Sequence, residues 1–226
     1  MTRRKQLLIA VALSVFLGVA VLAESAAPSK PAAKSTSKID IYAFNLPDIK
    51  GKMVSFEQFK GKALLIVNVA SNSNFTPQYA ALEALYKKHK ADGLVVLGFP
   101  SNDFGAQEPE TEAKIAAFCE STYHITFPLF SKIATRGDEI TPLFSYLTKE
   151  ANPKLKGEVH WNFSKFVIDR KGKLSARFSS DVAPDDPDVL VAIEKALKPS
   201  EEKTEKEDAK PDSKPARGER RPPSGA

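Results

Sequence analysis

ALLIVNVA, residues 63–70, is a nearly unbroken apolar run rich in β-propensity. Such a run reads as a central strand covered on both faces. GLVVLGF, residues 93–99, has the same character and predicts a second buried strand. Between them the sequence predicts a helix from about Pro77 to His89. Thr76 is placed to cap it, and Pro77 suits its first turn. Leu82, Leu85 and Tyr86 recur on one face at helical spacing. Strand, helix and strand over this length imply a right-handed parallel crossover. The chain is therefore of the α/β class.

Working outward, Ile39 to Leu46 alternates as a strand. Asp48 to Lys52, with Gly51, supplies a turn, and Met53 to Phe56 is a short return strand. Downstream, Glu112 to Glu120 predicts a helix with Ile115, Ala116 and Cys119 on one face. Thr141-Pro142 opens another helix through Leu147. Phe163 to Asp169 and Lys173 to Phe178 flank Arg170-Lys171-Gly172 as a hairpin, and Pro187 to Leu197 is a closing amphipathic helix. The order is hairpin, βαβ, helices, hairpin, helix. It implies a thioredoxin-like fold: a mixed central sheet flanked by helices, with an N-terminal β-hairpin.

The ends read differently. Thr2-Arg3-Arg4-Lys5 followed by the apolar run Leu7 to Ala23 has the form of an export signal over residues 1–23. The alternative is an uncleaved membrane anchor, although the run is shorter than the ~20 apolar residues a span requires. Residues 24–37 form a flexible spacer of Ala, Ser, Pro and Lys. Residues 199–226 form a charged tail with no apolar residue larger than alanine, which predicts disorder. A periplasmic or extracellular location follows as the expectation. The tail reads as a solvated tether, or more sharply as a means of attachment to an envelope partner.

Charge and composition exclude several classes. The net charge is +5, but residues 1–37 carry five basic side chains against one acidic, and the tail carries seven of each. The segment 38–198 is nearly neutral and has no basic stripe with interleaved aromatics, so no nucleic-acid partner is expected. A single cysteine excludes an internal disulfide, and three histidines at 89, 124 and 160 lack the common zinc spacings.

Five ordered blocks carry a resemblance. They are VNVAS (67–71) with FTPQY (75–79), GFPSNDFGAQEP (98–109), IAAFC (115–119), ITFPLFSK (125–132) and WNF (161–163). Together they resemble the glutathione peroxidase family across essentially all of 38–198. The resemblance implies reduction of hydrogen peroxide or organic hydroperoxides by a thiol donor, either glutathione or thioredoxin, as in an oxidative-stress response. It implies no metal, haem, flavin or nucleotide cofactor. The short loops resemble the monomeric branch.

In that family a thiolate or selenolate attacks a peroxide oxygen and becomes a sulfenic or selenenic acid. Glutamine, tryptophan and asparagine donate hydrogen bonds around it. Carried over, these are Gln107, Trp161 and Asn162. The nucleophile position is Ser73, between Asn72 and Asn74, with Asn74 where glycine is usual. Asparagine tolerates left-handed backbone and so suits that loop position. A serine hydroxyl remains protonated without a strong base, and no Ser–His–Asp arrangement is evident. Cys119, 46 residues beyond Ser73, occupies what resembles the resolving-cysteine position. Its other reading is an inert buried thiol.

Two functions follow. One is a thiol peroxidase using Cys119 or an unorthodox site. The other is a catalytically silent relative acting as a binding or redox-scaffold protein. The changes at Asn72 and Asn74 mark natural divergence rather than a single engineered substitution. His124 and His160 read as surface residues. Asn74-Phe75-Thr76 and Asn162-Phe163-Ser164 match glycosylation sequons, which matter only in a host that glycosylates.

Overall fold

The computed structural model describes residues 39–199. Residues 1–38, on which the expected export signal and spacer fall, and tail residues 200–226 lie outside the described residues.

The apolar runs form β3 (Ala63–Val69) and β4 (Leu94–Pro100), paired in parallel from Ala63 opposite Leu94 to Val69 opposite Pro100. The crossover helix is α1 (Gln78–His89). β5 (Lys165–Ile168) lies antiparallel to β3, and β6 (Leu174–Phe178) antiparallel to β5. The four-stranded order is β4-β3-β5-β6. A separate hairpin joins β1 (Asn45–Pro47) to β2 (Met53–Ser55). Helices α2 (Glu112–Tyr123), α3 (Pro142–Lys149) and α4 (Pro187–Leu197) complete the thioredoxin-like fold.

All seven residues of β3 are buried, as a central strand requires. Its alternation divides the core. Leu64 and Ile66 join Phe99, Phe130, Phe144 and Phe166 on the side of the hairpin and α3. Ala63, Leu65, Val67 and Val69 join Tyr79, Leu82, Ile115, Cys119, Val189 and Ile193 on the side of α1, α2 and α4.

Three local expectations are corrected. Ile39 to Leu46 is not one strand. Residues Ile41–Ala43 form a 3-10 turn, capped by Asp40, whose carboxylate accepts from Tyr42 N–H at 3.3 Å. Ile41 and Tyr42 are both buried, which a strand with one side facing solvent does not achieve. Thr76 does not cap α1: its hydroxyl turns back and donates to the Ala70 carbonyl at 2.9 Å, with Pro77 at the cap position. The predicted helix 112–120 runs three residues further, ending where His124 adopts a left-handed conformation (φ 52°).

The end of the domain opposite the C-terminal ends of β3 and β4 is fastened by Arg170. Its guanidinium donates to the carbonyls of Leu197 (2.7 Å), Gly61 (3.0 Å) and Asp92 (2.5 Å), drawing three turns together. Gly172, in the same β5–β6 turn, has φ 77°, and a methyl group there would lie 2.7 Å from Tyr42 Cε2.

Candidate active site

Three loops converge at the C-terminal ends of β3 and β4 and just before β5. They carry Ser73, Gln107 and the pair Trp161-Asn162 respectively.

The first loop leaves β3 and turns tightly at Ser73. The residue is 7% exposed. Its hydroxyl accepts from Phe75 N–H at 3.2 Å and its carbonyl accepts from Thr76 N–H at 3.0 Å. Among the described residues no base is hydrogen-bonded to it. Asn72 and Asn74 are exposed, and Asn74 is not in left-handed backbone, so the turn needs no glycine there.

The second loop follows β4. Asn72 N–H donates to the Gln107 carbonyl at 3.0 Å, which ties it to the first. The neighbouring Ala106 has φ 51°. Asp103 fixes the loop's other flank by accepting from Thr135 N–H (2.5 Å) and Thr135 Oγ1 (2.9 Å).

The third loop is set by Asn68 on β3. Its amide donates to the Trp161 carbonyl at 3.1 Å. Its Oδ1 accepts from Ser164 N–H at 3.0 Å, and its own carbonyl accepts from Phe163 N–H at 2.6 Å. These contacts hold Phe163 at φ 65° and turn Asn162 inward. Asn162 is fully buried and donates from Nδ2 to Gln107 Oε1 at 2.9 Å. Its Oδ1 is buried without a partner. Trp161 is 38% exposed and packs against Phe104, ring centroids 5.8 Å apart, so this indole is a surface of the site rather than core. The Arg136 guanidinium lies 4.6 Å from the other ring of that pair, Phe104.

Ser73, Gln107 and Asn162 are therefore linked through one another's loops, with Trp161 at the rim. Cys119 is apart from them, on the apolar face of α2. It is fully buried, and burial pushes its thiol up to about 11. The Tyr79 hydroxyl is its polar neighbour and meets no partner of full hydrogen-bond geometry. A groove of 460 Å³ bounded by Ile49, Glu120, His124 and Leu129 runs beside this thiol. His124 and His160 are exposed. Among the described residues no cluster of His, Cys, Asp or Glu is arranged to hold a metal ion.

Four residues at the site escape a reading of sequence pattern: Asn68, Ser71, Glu108 and Lys165. Asn68 lies inside an apolar strand, and a polar residue there was a legible anomaly. Lys165 is fully buried within β5. Its ammonium donates to the Phe163 carbonyl at 2.7 Å and to the Ser179 carbonyl at 3.4 Å, bracing the third loop from behind. Burial lowers its pKa to about 8.

Known proteins resemble this chain in sequence and fold. The glutathione peroxidase family model matches residues 41–148. The hydroperoxy fatty acid reductase of Synechocystis sp. is 45% identical over 163 residues, which cover 70% of this chain and 95% of that protein. The glutathione peroxidase-like peroxiredoxin HYR1 of Saccharomyces cerevisiae is 45% identical over 147 residues, covering 64% and 90%. Among solved structures, apo Trgpx is 36% identical with a TM-score of 0.59, covering 72% of this chain and 98% of that one. T. cruzi GPX1 is 34% identical with a TM-score of 0.54, covering 70% and 94%. With near-complete coverage of relatives this similar, and the same fold, the chain belongs to the glutathione peroxidase family.

Proposed function

We propose that this chain recognises hydroperoxides at the Ser73, Gln107, Trp161 and Asn162 site, and that its own covalent step is silenced at Ser73. The family reaction, reduction of a hydroperoxide by glutathione or thioredoxin, is the chemistry for which the site is shaped. The observation that carries this reading is the 2.9 Å bond between Asn162 and Gln107 beside the buried Ser73 turn. Relatives named as a hydroperoxy fatty acid reductase and as peroxiredoxins support the substrate class.

The missing step is specific. Displacement at a peroxide O–O bond needs a polarisable anion, and a hydroxyl without a base supplies none. Oxygen has no counterpart of a stable sulfenic acid for a thiol to reduce. Cys119 does not replace it. A thiol that is fully buried and held near 11 is almost wholly protonated at neutral pH.

The test is peroxide consumption by the full chain and by Ser73→Cys, with glutathione and thioredoxin offered separately. Turnover only in Ser73→Cys is the expected result. Turnover in the unaltered chain that vanishes in Cys119→Ala would overturn it in favour of an active peroxidase.

The proposal extends to location. The cationic and apolar run at residues 2–23 supports export, and N-terminal sequencing of protein recovered from the producing cells tests it. Capture of envelope proteins with and without residues 199–226 tests the tail as an attachment.

A further inference from the structure

Glu108 follows Gln107 directly, yet it lies outside the set of residues that face the peroxide. Its side chain is fully buried. Its Oε2 accepts from Ser71 N–H at 2.8 Å and from Ser71 Oγ at 3.1 Å. Its own N–H donates to Asn102 Oδ1 at 2.8 Å. One residue along each strand of this contact, Asn72 N–H donates to the Gln107 carbonyl. The turn that carries Ser73 is thus registered against the dipeptide 107–108 at two successive residues. The Gln107 side chain carries that register on to Asn162. The second carboxylate oxygen, Oε1, is buried without a partner. Burying a carboxyl group with one oxygen unpartnered is costly. Charge-assisted bonds to Ser71 are what the ionised form supplies in return.

We propose that Glu108 is a positioning residue of the site: by accepting from Ser71, its side chain holds the Ser71–Ser73 turn in register with the Gln107–Asn162 pair. The inference rests on the reading of Ser73, Gln107 and Asn162 as one site.

The groups around Glu108 set the direction of its titration. Burial is the largest influence and raises its pKa. The two bonds from Ser71 lower it, as does Lys132, whose ammonium donates to the carbonyls of Glu108 (3.2 Å) and Glu110 (2.6 Å). Glu110 acts the other way. From α1 and α2 the Tyr79 hydroxyl and the Cys119 thiol are the titratable neighbours. Burial holds both in their neutral forms at neutral pH. A pKa raised by burial means that proton uptake favours the buried, in-register side chain, so acidification does not release the turn and the ionised form is the costlier one to hold.

Trp161 is the only tryptophan in the chain, and it packs on Phe104 of the same loop as Glu108. Its emission reads the register without any turnover. At pH 7 the emission of the full chain is compared with that of Glu108→Gln and Glu108→Leu. Glu108→Gln, which still accepts from Ser71, is expected to match the parent and Glu108→Leu to differ, with far-UV circular dichroism unchanged in both. Added to Ser73→Cys, Glu108→Gln should keep kcat/KM within about threefold, and Glu108→Leu should cost more than about tenfold. Parent-like emission in a folded Glu108→Leu, or a folded Glu108→Leu with full kcat/KM, overturns the proposal. If Ser73→Cys consumes no peroxide, it is the functional reading that fails, and the emission comparison still decides the role of Glu108.

Discussion

Asn162 and Gln107, 55 residues apart in sequence, are joined by a side-chain hydrogen bond of 2.9 Å across two loops. Neither loop imposes this geometry alone. Asn68 turns Asn162 inward from β3, and the 72–107 backbone bond brings Gln107 to meet it. The bond engages Asn162 Nδ2 and Gln107 Oε1, so the Gln107 Nε2 hydrogens remain to donate to a ligand oxygen, which is how preorganised donors act.

Asn162→Ala removes the bond and leaves Gln107 free to rotate. In a Ser73→Cys background kcat/KM should fall at least about tenfold, while unfolding free energy drops by only about 1–2 kcal/mol. Steady-state kinetics and urea titration on the same samples check the contrast.

Cys119 should be close to inert in the folded chain. With its thiol near 11 rather than the ordinary 9.0, the thiolate fraction at pH 8 is lowered roughly 100-fold. Alkylation by iodoacetamide should be slower than in urea by at least that factor. The same shift affects stability. Above pH 9 the unfolded chain releases a proton that the folded chain retains until about 11, so stability falls across that window by about 2–3 kcal/mol. Cys119→Ala should remove that component of the fall.

Lys165 acts in the opposite sense. Its folded pKa of about 8 lies below the ordinary 10.5, so between those values the unfolded chain holds a proton that the folded chain has released. Stability from this residue therefore rises with pH between about 8 and 10.5 and is lost as pH falls through 8. Lys165→Met should flatten that rise, by an amount on the order of 3 kcal/mol, when denaturation midpoints are followed from pH 7 to 10.

Gly172→Ala places a methyl group 2.7 Å from Tyr42 Cε2 and 3.0 Å from Ile41 Cγ2, at a backbone φ of 77°. Left-handed backbone costs about 1–2 kcal/mol, and overpacking adds about 1–3. Urea unfolding should show a loss of about 2–5 kcal/mol, whereas Gly51→Ala, whose methyl group meets nothing, carries only the backbone cost.

What was legible in the sequence follows from which forces act locally. Hydrophobic periodicity marks β3, β4, α1 and α4, because burial on one or both faces leaves a period in the residues themselves. It fails at Ile41 and Tyr42, where two adjacent side chains enter the core from a 3-10 turn that Asp40 caps. Thr76 was misread because its hydroxyl has a nearer partner in the preceding strand end, at Ala70. Within the candidate site, Gln107, Trp161 and Asn162 are named through motif order, and the fold brings their loops together. Glu108 and Lys165 are not so named, since a charged residue in a loop or strand ordinarily marks a solvated face. Only the fold shows that both are sealed behind it.

The Arg170 fastening has a consequence for how this protein has been free to change. The bonds that close the turns at Gly61, Asp92 and Leu197 sit at the opposite end of the strands from the loop that carries Ser73. Architecture and chemistry are thus maintained by separate groups of residues. A thiol can drift to a hydroxyl at position 73 without loosening the scaffold, and selection for a stable fold offers the nucleophile no protection. On the proposed reading, a reactive centre has fallen silent while its housing persists, and Ser73→Cys tests whether that housing still serves a nucleophile.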